Sequence, residues 1–183
     1  MPLNSRASSP DDGIVDYWGL IEKAQASIPT AISEVDMEAS HLVMSLNRAT
    51  RTLIYDLEFQ TLRPLGQSDS SFRLLFTLWV AGPLSPHRVA ALASMARPTV
   101  TSLVATLRRD GLVDRQVDPA DGRGAMLSLT PAGTQVITEA FEAHNRRERD
   151  WASLLTPIER KLFIMLMDKL MSGRTSINAV DRR

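Results

Sequence analysis

Cysteine is absent from all 183 residues of this chain. This absence excludes disulfides, thiolate metal sites and cysteine-based redox sensing. The chain also lacks any apolar run near the roughly 18 residues that a membrane-spanning helix needs, so we expect no membrane span. The first residues, from Met1 to Arg6, lack the apolar core of a secretory signal peptide. We therefore expect a cytoplasmic protein.

Groups of residues that could perform chemistry are scarce as well. Of the three histidines, His144 has a carboxylate, that of Glu148, four residues further along a predicted helix. A surface ion pair explains this spacing better than a metal site does. No glycine-rich phosphate loop and no Gly-x-Ser-x-Gly nucleophile elbow occurs. The sequence thus predicts no enzyme, no metal site and no cofactor. We interpret the glycines of the central region as turn and cap residues: Gly111, Gly122, Gly124 and Gly133.

Net charge is also lacking, because 21 basic residues balance 21 acidic ones. Basic residues are mildly favoured in the middle of the chain, where residues 64–129 hold seven arginines and five aspartates. This excess of basic residues is compatible with nucleic-acid binding but does not by itself predict it. The length suits either one domain or one domain with appended segments, and the hydrophobic content of 44% is ample for a core.

The segment from residue 85 to residue 131 is the most informative part of the chain. Ser85-Pro86 predicts the start of one helix, to which Leu92 contributes an apolar face, and Arg97-Pro98 predicts the start of a second. Gly111 is expected to end the second helix. Two short helices with a tight turn between them, and a polar face on the second, match the geometry that fits the DNA major groove. Apolar residues of the second helix recur at i, i+3, i+4 and i+7 and predict one buried stripe: Val100, Leu103, Val104 and Leu107.

A β-hairpin is predicted after this helix pair. Residues 112–117 and 125–129 alternate as two strands do, and the turn between them contains glycine, proline and charged residues. Arg123 at the tip is expected to reach a phosphate or a narrow minor groove, with Asp121 bracing its guanidinium. A solvated loop with a local ion pair is the simpler alternative for the same residues.

These residues resemble the winged-helix core of the MarR family of transcriptional regulators. The matching pattern is Gly111-Leu112-Val113, Arg115, Asp118-Pro119-x-Asp121-x-Arg123 and Leu129-Thr130-Pro131-x-Gly133. The resemblance implies a mainly α fold with a small β-hairpin wing, a winged helix-turn-helix whose N- and C-terminal helices form a dimerisation domain. It also implies a homodimer that binds palindromic double-stranded DNA. The implied function is a transcriptional repressor released by a small-molecule ligand, and the missing cysteines exclude the peroxide-sensing branch of the family.

Site residues follow from the resemblance, position by position. The sequence departs from the family at Ser102 and Thr106, where many members carry Arg or Lys, and a hydroxyl cannot make the bidentate contact to guanine. The family's effector pocket lies between the dimer helices and the DNA-binding lobe. The aromatic and arginine side chains at these positions suggest a small aromatic or anionic effector. The implied DNA contacts are Arg97, Thr99, Thr101, Ser102, Arg115, Asp121 and Arg123. The implied effector contacts are Arg51, Tyr55, Arg73, Phe76 and Trp79.

The predicted organisation has five segments. They are a mobile tail over residues 1–11, dimerisation helices over 12–66, the winged helix-turn-helix over 67–131, C-terminal dimerisation helices over 132–172, and a tail over 173–183. We expect a first helix that Pro29 interrupts, and a long helix from about Ser33 to about Leu62. The last helix is strongly apolar, and Phe163 and Leu166 are predicted to lie on its buried face. That face packs either against a second subunit or within an intramolecular bundle.

Two other function classes stay open. The chain could be a winged-helix protein–protein adaptor with little specific DNA binding, which the hydroxyls at Ser102 and Thr106 and the neutral net charge would suit. It could also be a small-molecule-binding or enzymatic helical domain, although the polar constellation that such a domain needs is missing from the sequence.

Overall fold

The structure is a computed structural model that describes residues 17–117 and 124–180, apart from the side chain of Trp18. Over these residues a two-stranded antiparallel sheet accompanies a set of helices, which confirms the predicted mainly α fold with a small wing. The elements in chain order are α1 (Tyr17–Ala31), α2 (Met37–Leu57), α3 (Asp69–Ala81), α4 (Pro86–Leu92), α5 (Arg97–Arg109), β1 (Val113–Val117), β2 (Ala125–Leu129), α6 (Pro131–Ser153) and α7 (Pro157–Gly173).

The chain divides into two units between residues 52 and 53. In the first unit, α1 buries Ile21, and Gln25 Nε2 lies 3.3 Å from His41 Nδ1 on α2. Pro29 lies inside α1, so the prediction that it interrupts this helix was wrong. Because Pro29 stands in the last turn, its missing N–H removes only one backbone hydrogen bond. Ile32 N–H still donates to the carbonyl of residue 28, at 2.9 Å.

Helix α2 begins and ends at different residues from those predicted. It starts at Met37 rather than near Ser33, because the Asp36 carboxylate caps it by accepting the Ala39 N–H at 2.8 Å. It ends at residue 57 and gives way to a π-helical turn over 58–62 and a 3-10 turn over 63–65. Pro64 follows the wide turn, and a proline ring clashes with the carbonyl four residues earlier in a regular α-helix.

The core of the second unit lies between α3, α4, α5, α6 and the sheet. Helix α3 starts at a capping box in which the Ser68 and Ser71 side chains accept each other's backbone N–H groups. The hairpin pairs Val113 with Leu129, and Leu84 forms an isolated β-bridge to Leu127 by exchanging two hydrogen bonds with it. The side chains with the least exposure in this unit are Leu62, Leu74, Leu75, Val89, Val100, Val113, Leu127 and Ile137.

Helix α7 is capped as its sequence predicts, yet none of its residues is buried. Thr156 Oγ1 accepts the Glu159 N–H, and the Glu159 carboxylate accepts the Thr156 N–H at 2.7 Å. Phe163 and Leu166 are 48% and 43% exposed, so their predicted burial does not occur within one chain. Within the second unit, this face of α7 is therefore not covered by the described residues. No helix among the described residues is long and apolar enough to cross a bilayer.

Candidate nucleic-acid interface

The helix-turn-helix begins where the sequence predicts. The Ser85 hydroxyl accepts the Arg88 N–H at 3.4 Å, and Pro86 occupies the first position of α4. This helix packs into the core through residues such as Val89. Leu92 was predicted to contribute to the apolar face but is 53% exposed, because it points away from the core that the smaller side chains of α4 contact.

A tight turn joins α4 to α5. Ser94 adopts a left-handed conformation with φ 51°, and the Met95 N–H donates to the Ala90 carbonyl at 2.9 Å. This bond ends α4 in the way that a left-handed residue usually ends a helix. The first position of α5 follows at Arg97, so the second helix starts within a few residues of the end of the first.

The two faces of α5 are as predicted. Val100, Val104 and Leu107 are buried, and Leu103 is half-buried. The opposite face is open to solvent and carries hydroxyls and guanidinium groups: Arg97, Thr99, Thr101, Ser102, Arg108 and Arg109. Thr101 Oγ1 donates its proton to the Arg97 carbonyl at 3.0 Å, so its lone pairs are left to accept hydrogen bonds from outside. This face has the shape and chemistry that a major groove accepts.

The wing brings one further arginine beside α5. Arg115 on β1 is paired with Leu127 on β2, and it lines a shallow hollow of about 120 Å³ together with Pro86, Thr101 and Val104. The structure thus brings Arg115 and Thr101, both predicted DNA contacts, to one place. The predicted contacts Asp121 and Arg123 lie outside the described residues.

The end of α5 is attached to the start of α6. The Thr130 hydroxyl donates to the Gly111 carbonyl at 2.7 Å and accepts the Gly133 N–H at 2.9 Å. The Thr130 N–H donates to the Leu112 carbonyl at 3.1 Å. Gly111 has φ 72°, which confirms it as the residue that ends the helix.

Gly133 has a different role from the one predicted. It is not a turn or cap glycine, because it lies buried in the first turn of α6. A Cβ atom there would lie 2.0 Å from the Leu112 carbonyl oxygen, far inside van der Waals contact. Only glycine permits this approach, and the Thr-Pro-x-Gly spacing is the sequence signal from which the attachment could have been recognised.

The predicted effector residues fall into separate groups. Trp79 and Phe76 pack on Phe141, with ring centroids 5.6 and 5.7 Å from that ring. Tyr55 stacks on Phe59 at 6.0 Å. Both pairs present partly exposed aromatic surface.

The two predicted cations of the effector site are already engaged within the fold. Arg73 Nη1 donates to the Ala93 carbonyl at 2.9 Å, and Arg73 Nε lies 2.9 Å from the Asp69 carboxylate. Arg51, which lies in the first unit, donates to Asn47 at 2.8 Å. Neither guanidinium is therefore free of protein contacts in this structure.

His144 is buried, so its contact with Glu148 is not the surface ion pair that the sequence suggested. Its ring stacks on Phe72 with centroids 4.5 Å apart, Nδ1 lies 3.4 Å from Thr61 Oγ1, and Nε2 lies 3.5 Å from Glu148. Burial lowers the pKa of His144, although Glu148 and Asp69 act to raise it. The described residues include no group of three or more side chains suited to a metal ion.

Known proteins are similar to this chain in sequence and in fold. The model of the MarR family matches residues 68–124. The chain belongs to the MarR family of winged helix-turn-helix transcriptional regulators. YwaE of Bacillus subtilis, an uncharacterized HTH-type transcriptional regulator, is 25% identical over 139 residues, which are 76% of this chain and 81% of YwaE. This MarR-family chain is accordingly a DNA-binding transcriptional regulator and not an enzyme.

Two solved structures show the same fold. A mutant of Escherichia coli MarR in complex with operator DNA superimposes with a TM-score of 0.68 at 20% identity, covering 75% of this chain and 98% of that one. NadR in complex with 4-hydroxyphenylacetate superimposes with a TM-score of 0.60 at 26% identity, covering 70% of this chain and 89% of that one. Helix α5 is the second helix of the helix-turn-helix, and we call it the recognition helix below.

Proposed function

We propose that this MarR-family protein is a homodimeric repressor that binds a palindromic operator and releases it when a small aromatic acid binds. The observation that carries the proposal is the solvent-exposed apolar face of α7. Phe163, Leu166 and Leu170 are each between 43% and 48% exposed, and Ile164 and Met171 are 60% exposed. A helix that is this apolar is stabilised by burial against another surface.

A second copy of the chain is the surface that suits this face. Two copies related by a two-fold axis bury the same patch on each subunit and present two recognition helices to two half-sites. The proposal assigns dimerisation to residues 12–66 and 132–172, and DNA binding to residues 67–131. Within the DNA-binding segment, the hydroxyls of Thr99, Thr101 and Ser102 read bases, and Arg97, Arg115 and Arg123 contact the backbone or the minor groove.

The effector part of the proposal rests on the aromatic groups beside the dimerisation helices. Tyr55 and Trp79 are 63% and 38% exposed, and Trp79 lies with Phe76 and Phe141 in one aromatic group. Aromatic side chains of this kind bind a planar ring by stacking. The complex of NadR with 4-hydroxyphenylacetate supports an aromatic acid as the class of ligand. Because Arg73 is engaged by Asp69 and Ala93, the proposal assigns its guanidinium a structural role.

Three measurements on the purified full chain test the proposal. Sedimentation should give a species of twice the 20.3 kDa chain mass at micromolar concentration. Fluorescence anisotropy with palindromic duplexes from DNA beside its own gene should show binding at least about a thousandfold tighter than to random duplexes. Adding 4-hydroxyphenylacetate should weaken that binding, and acetate is the control.

Each outcome bears on a different part of the proposal. A stable 20 kDa species would contradict the dimer. Specific binding that no aromatic acid weakens would contradict ligand release while leaving the regulator intact. Binding to every duplex with equal affinity would favour the adaptor interpretation, in which the winged helix has lost specific DNA binding.

A further inference from the structure

The attachment between the recognition helix and α6 is more extensive than a helix cap requires. A cap needs only an oxygen that accepts a backbone N–H of the first turn, which the Thr130 hydroxyl supplies to Gly133 at 2.9 Å. The same hydroxyl also donates its proton to the Gly111 carbonyl at 2.7 Å. Leu112, the next residue, accepts the Thr130 backbone N–H at 3.1 Å.

The contact is also too close to leave space for a side chain at Gly133. The Cα of Gly133 packs directly on the Leu112 carbonyl, where a Cβ would come within 2.0 Å of the oxygen. Gly111 and Leu112 thus contact the start of α6 at three points. These are the hydroxyl of Thr130, the backbone N–H of Thr130 and the Cα of Gly133. Gly111 is itself the residue that ends the recognition helix, so any movement at this contact is a movement of that helix.

Helix α6 continues from this contact without a break for 23 residues. Towards its other end, Arg147 and Trp151 donate hydrogen bonds to Asp56 in the last turn of α2. A continuous helix of this length spans about 34 Å and behaves as a stiff rod. The rod is therefore held to the recognition helix at one end and to α2 at the other.

We propose that Thr130 is a positioning residue that couples the orientation of α6 to the recognition helix and thereby sets the half-site spacing that the protein reads. The role in half-site spacing rests on the proposed dimer. The coupling between α6 and the recognition helix lies within one chain and does not depend on the dimer. A hydroxyl is needed because one atom must both accept from Gly133 and donate to Gly111. Serine retains this capacity, and valine, which has the same shape as threonine, loses it.

A distance measurement within one chain tests the coupling without DNA. The chain contains no cysteine, so Ala105→Cys on the recognition helix and Glu139→Cys on α6, both at exposed positions, accept spin labels selectively. Labelled protein is diluted with unlabelled chain, and the distance distribution is measured by pulsed electron resonance. Thr130→Val should broaden the distribution beyond its wild-type width, and Thr130→Ser should leave it unchanged.

The matched control separates capping from coupling. Thr156 caps α7 by accepting the Glu159 N–H in the same way, but it lies at the start of α7 rather than at the contact between α6 and the recognition helix. Thr156→Val should therefore leave the distance between Ala105→Cys and Glu139→Cys unchanged. If Thr130→Val also leaves it unchanged in a folded protein, the coupling is wrong. Gly133→Ala should shift the mean distance, because the added methyl cannot fit against Leu112.

Operators with altered spacing test the consequence for DNA. Inserting one base pair between half-sites moves them by about 3.4 Å and rotates them by roughly 35°. The wild type should bind the native spacing about tenfold or more tightly than such an operator, and Thr130→Val should reduce this ratio to about threefold or less while Thr130→Ser retains it. An unchanged ratio for Thr130→Val would overturn the role in spacing. A wild type that prefers no operator at all would contradict the proposed function instead, and the distance measurement would still decide the coupling.

Discussion

Arg147 donates two hydrogen bonds to the carboxylate of Asp56, from Nε at 2.7 Å and from Nη2 at 2.9 Å. Trp151 Nε1 donates a third, at 2.7 Å. This arrangement connects two residues that are 91 positions apart in the sequence and fixes the last turn of α2 against α6. Bidentate guanidinium–carboxylate pairs are more directional than single contacts, so the pair specifies how the two helices meet.

Asp56→Asn should lower the free energy of unfolding by about 1–3 kcal/mol at pH 7, because a charged acceptor of three hydrogen bonds is lost. The hydrogen bonds from Arg147 and Trp151 hold the pKa of Asp56 below its ordinary value. The folded state therefore keeps the carboxylate charged at a pH at which the unfolded chain protonates it. This contribution to stability is present above the unfolded pKa of about 3.9 and is lost as the pH falls through the folded pKa.

Denaturant titrations at several pH values between 7 and 3 measure this contribution. The control is Asp150→Asn, because Asp150 lies 3.5 Å from the same guanidinium but has a side chain that is 68% exposed. An exposed pair contributes little, so this control should change stability by less than about 1 kcal/mol. Equal effects of the two substitutions would show that Asp56 has no special role.

The buried imidazole of His144 should make stability depend on pH in a second, higher window. Desolvation lowers the pKa of His144 in the folded protein, despite the opposing charges of Glu148 and Asp69. The unfolded chain thus binds a proton more readily than the folded one. The full free energy of unfolding is then present above the unfolded pKa of about 6.5, where His144 is neutral in both states. It decreases as the pH falls from there towards the folded pKa.

The substitution His144→Gln should remove this part of the pH dependence, because glutamine does not titrate. Unfolding by denaturant at pH 8, 7, 6 and 5 measures it in both proteins. The ring resonances of His144 in a pH titration by NMR should give a midpoint below that of an unfolded peptide. A midpoint above the peptide value would mean that the ion pair with Glu148 outweighs burial.

The signals that predicted the helix-turn-helix are local in sequence. Helices α4 and α6 each start at a hydroxyl residue followed by proline, at residues 85–86 and 130–131, and α5 ends before Gly111. Each of these signals acts within one helical turn. The apolar stripe of α5 repeats within eight residues, so the sequence alone sufficed to assign its faces. The two-stranded wing followed from strand alternation on each side of a turn-forming loop.

The features that the sequence did not reveal depend on residues far apart along the chain. Asp56, Arg147 and Trp151 carry no motif, and they meet only because the π-helical turn that follows Asp56 packs against α6. His144 looked like a surface residue because Glu148 is its helical neighbour, whereas Phe72, 72 positions away, buries its ring. Pro29 was assigned too strong a role, because one lost hydrogen bond near a helix end does not stop the helix.

A charged residue on the exposed face of α7 should dissociate the dimer. Phe163→Glu should raise the dimer dissociation constant by about a hundredfold or more, because it buries an unpaired charge in an apolar interface. Lys161→Gln is the matched control, since residue 161 lies on the opposite side of α7 and the substitution also makes the chain one charge unit more negative. Sedimentation across a concentration series measures both. If the two variants dimerise equally well, α7 is not the dimer interface.

The recognition helix and the wing should contribute to DNA binding in ways that salt and sequence can separate. Arg123 is flanked in sequence by Gly122 and Gly124, between the two strands of the wing, and we expect it to reach the DNA backbone or the minor groove. Arg123→Ala should weaken binding to operator and unrelated duplexes in similar proportion, and it should lower the salt slope by about one unit per subunit. Arg160→Ala, which removes one exposed arginine from α7, is the control for net charge.

Thr101 and Ser102 should instead affect which sequence is preferred. Their hydroxyls lie on the exposed face of the recognition helix and carry no charge. Changing either to Ala should leave the salt slope nearly intact and shift the preference among operator variants by about 1–3 kcal/mol at one position per half-site. Anisotropy titrations with a set of operator mutants at three or more salt concentrations measure both quantities. A salt slope that falls with Thr101→Ala, or an Arg123→Ala protein that binds as well as the wild type at every salt concentration, would reverse these assignments.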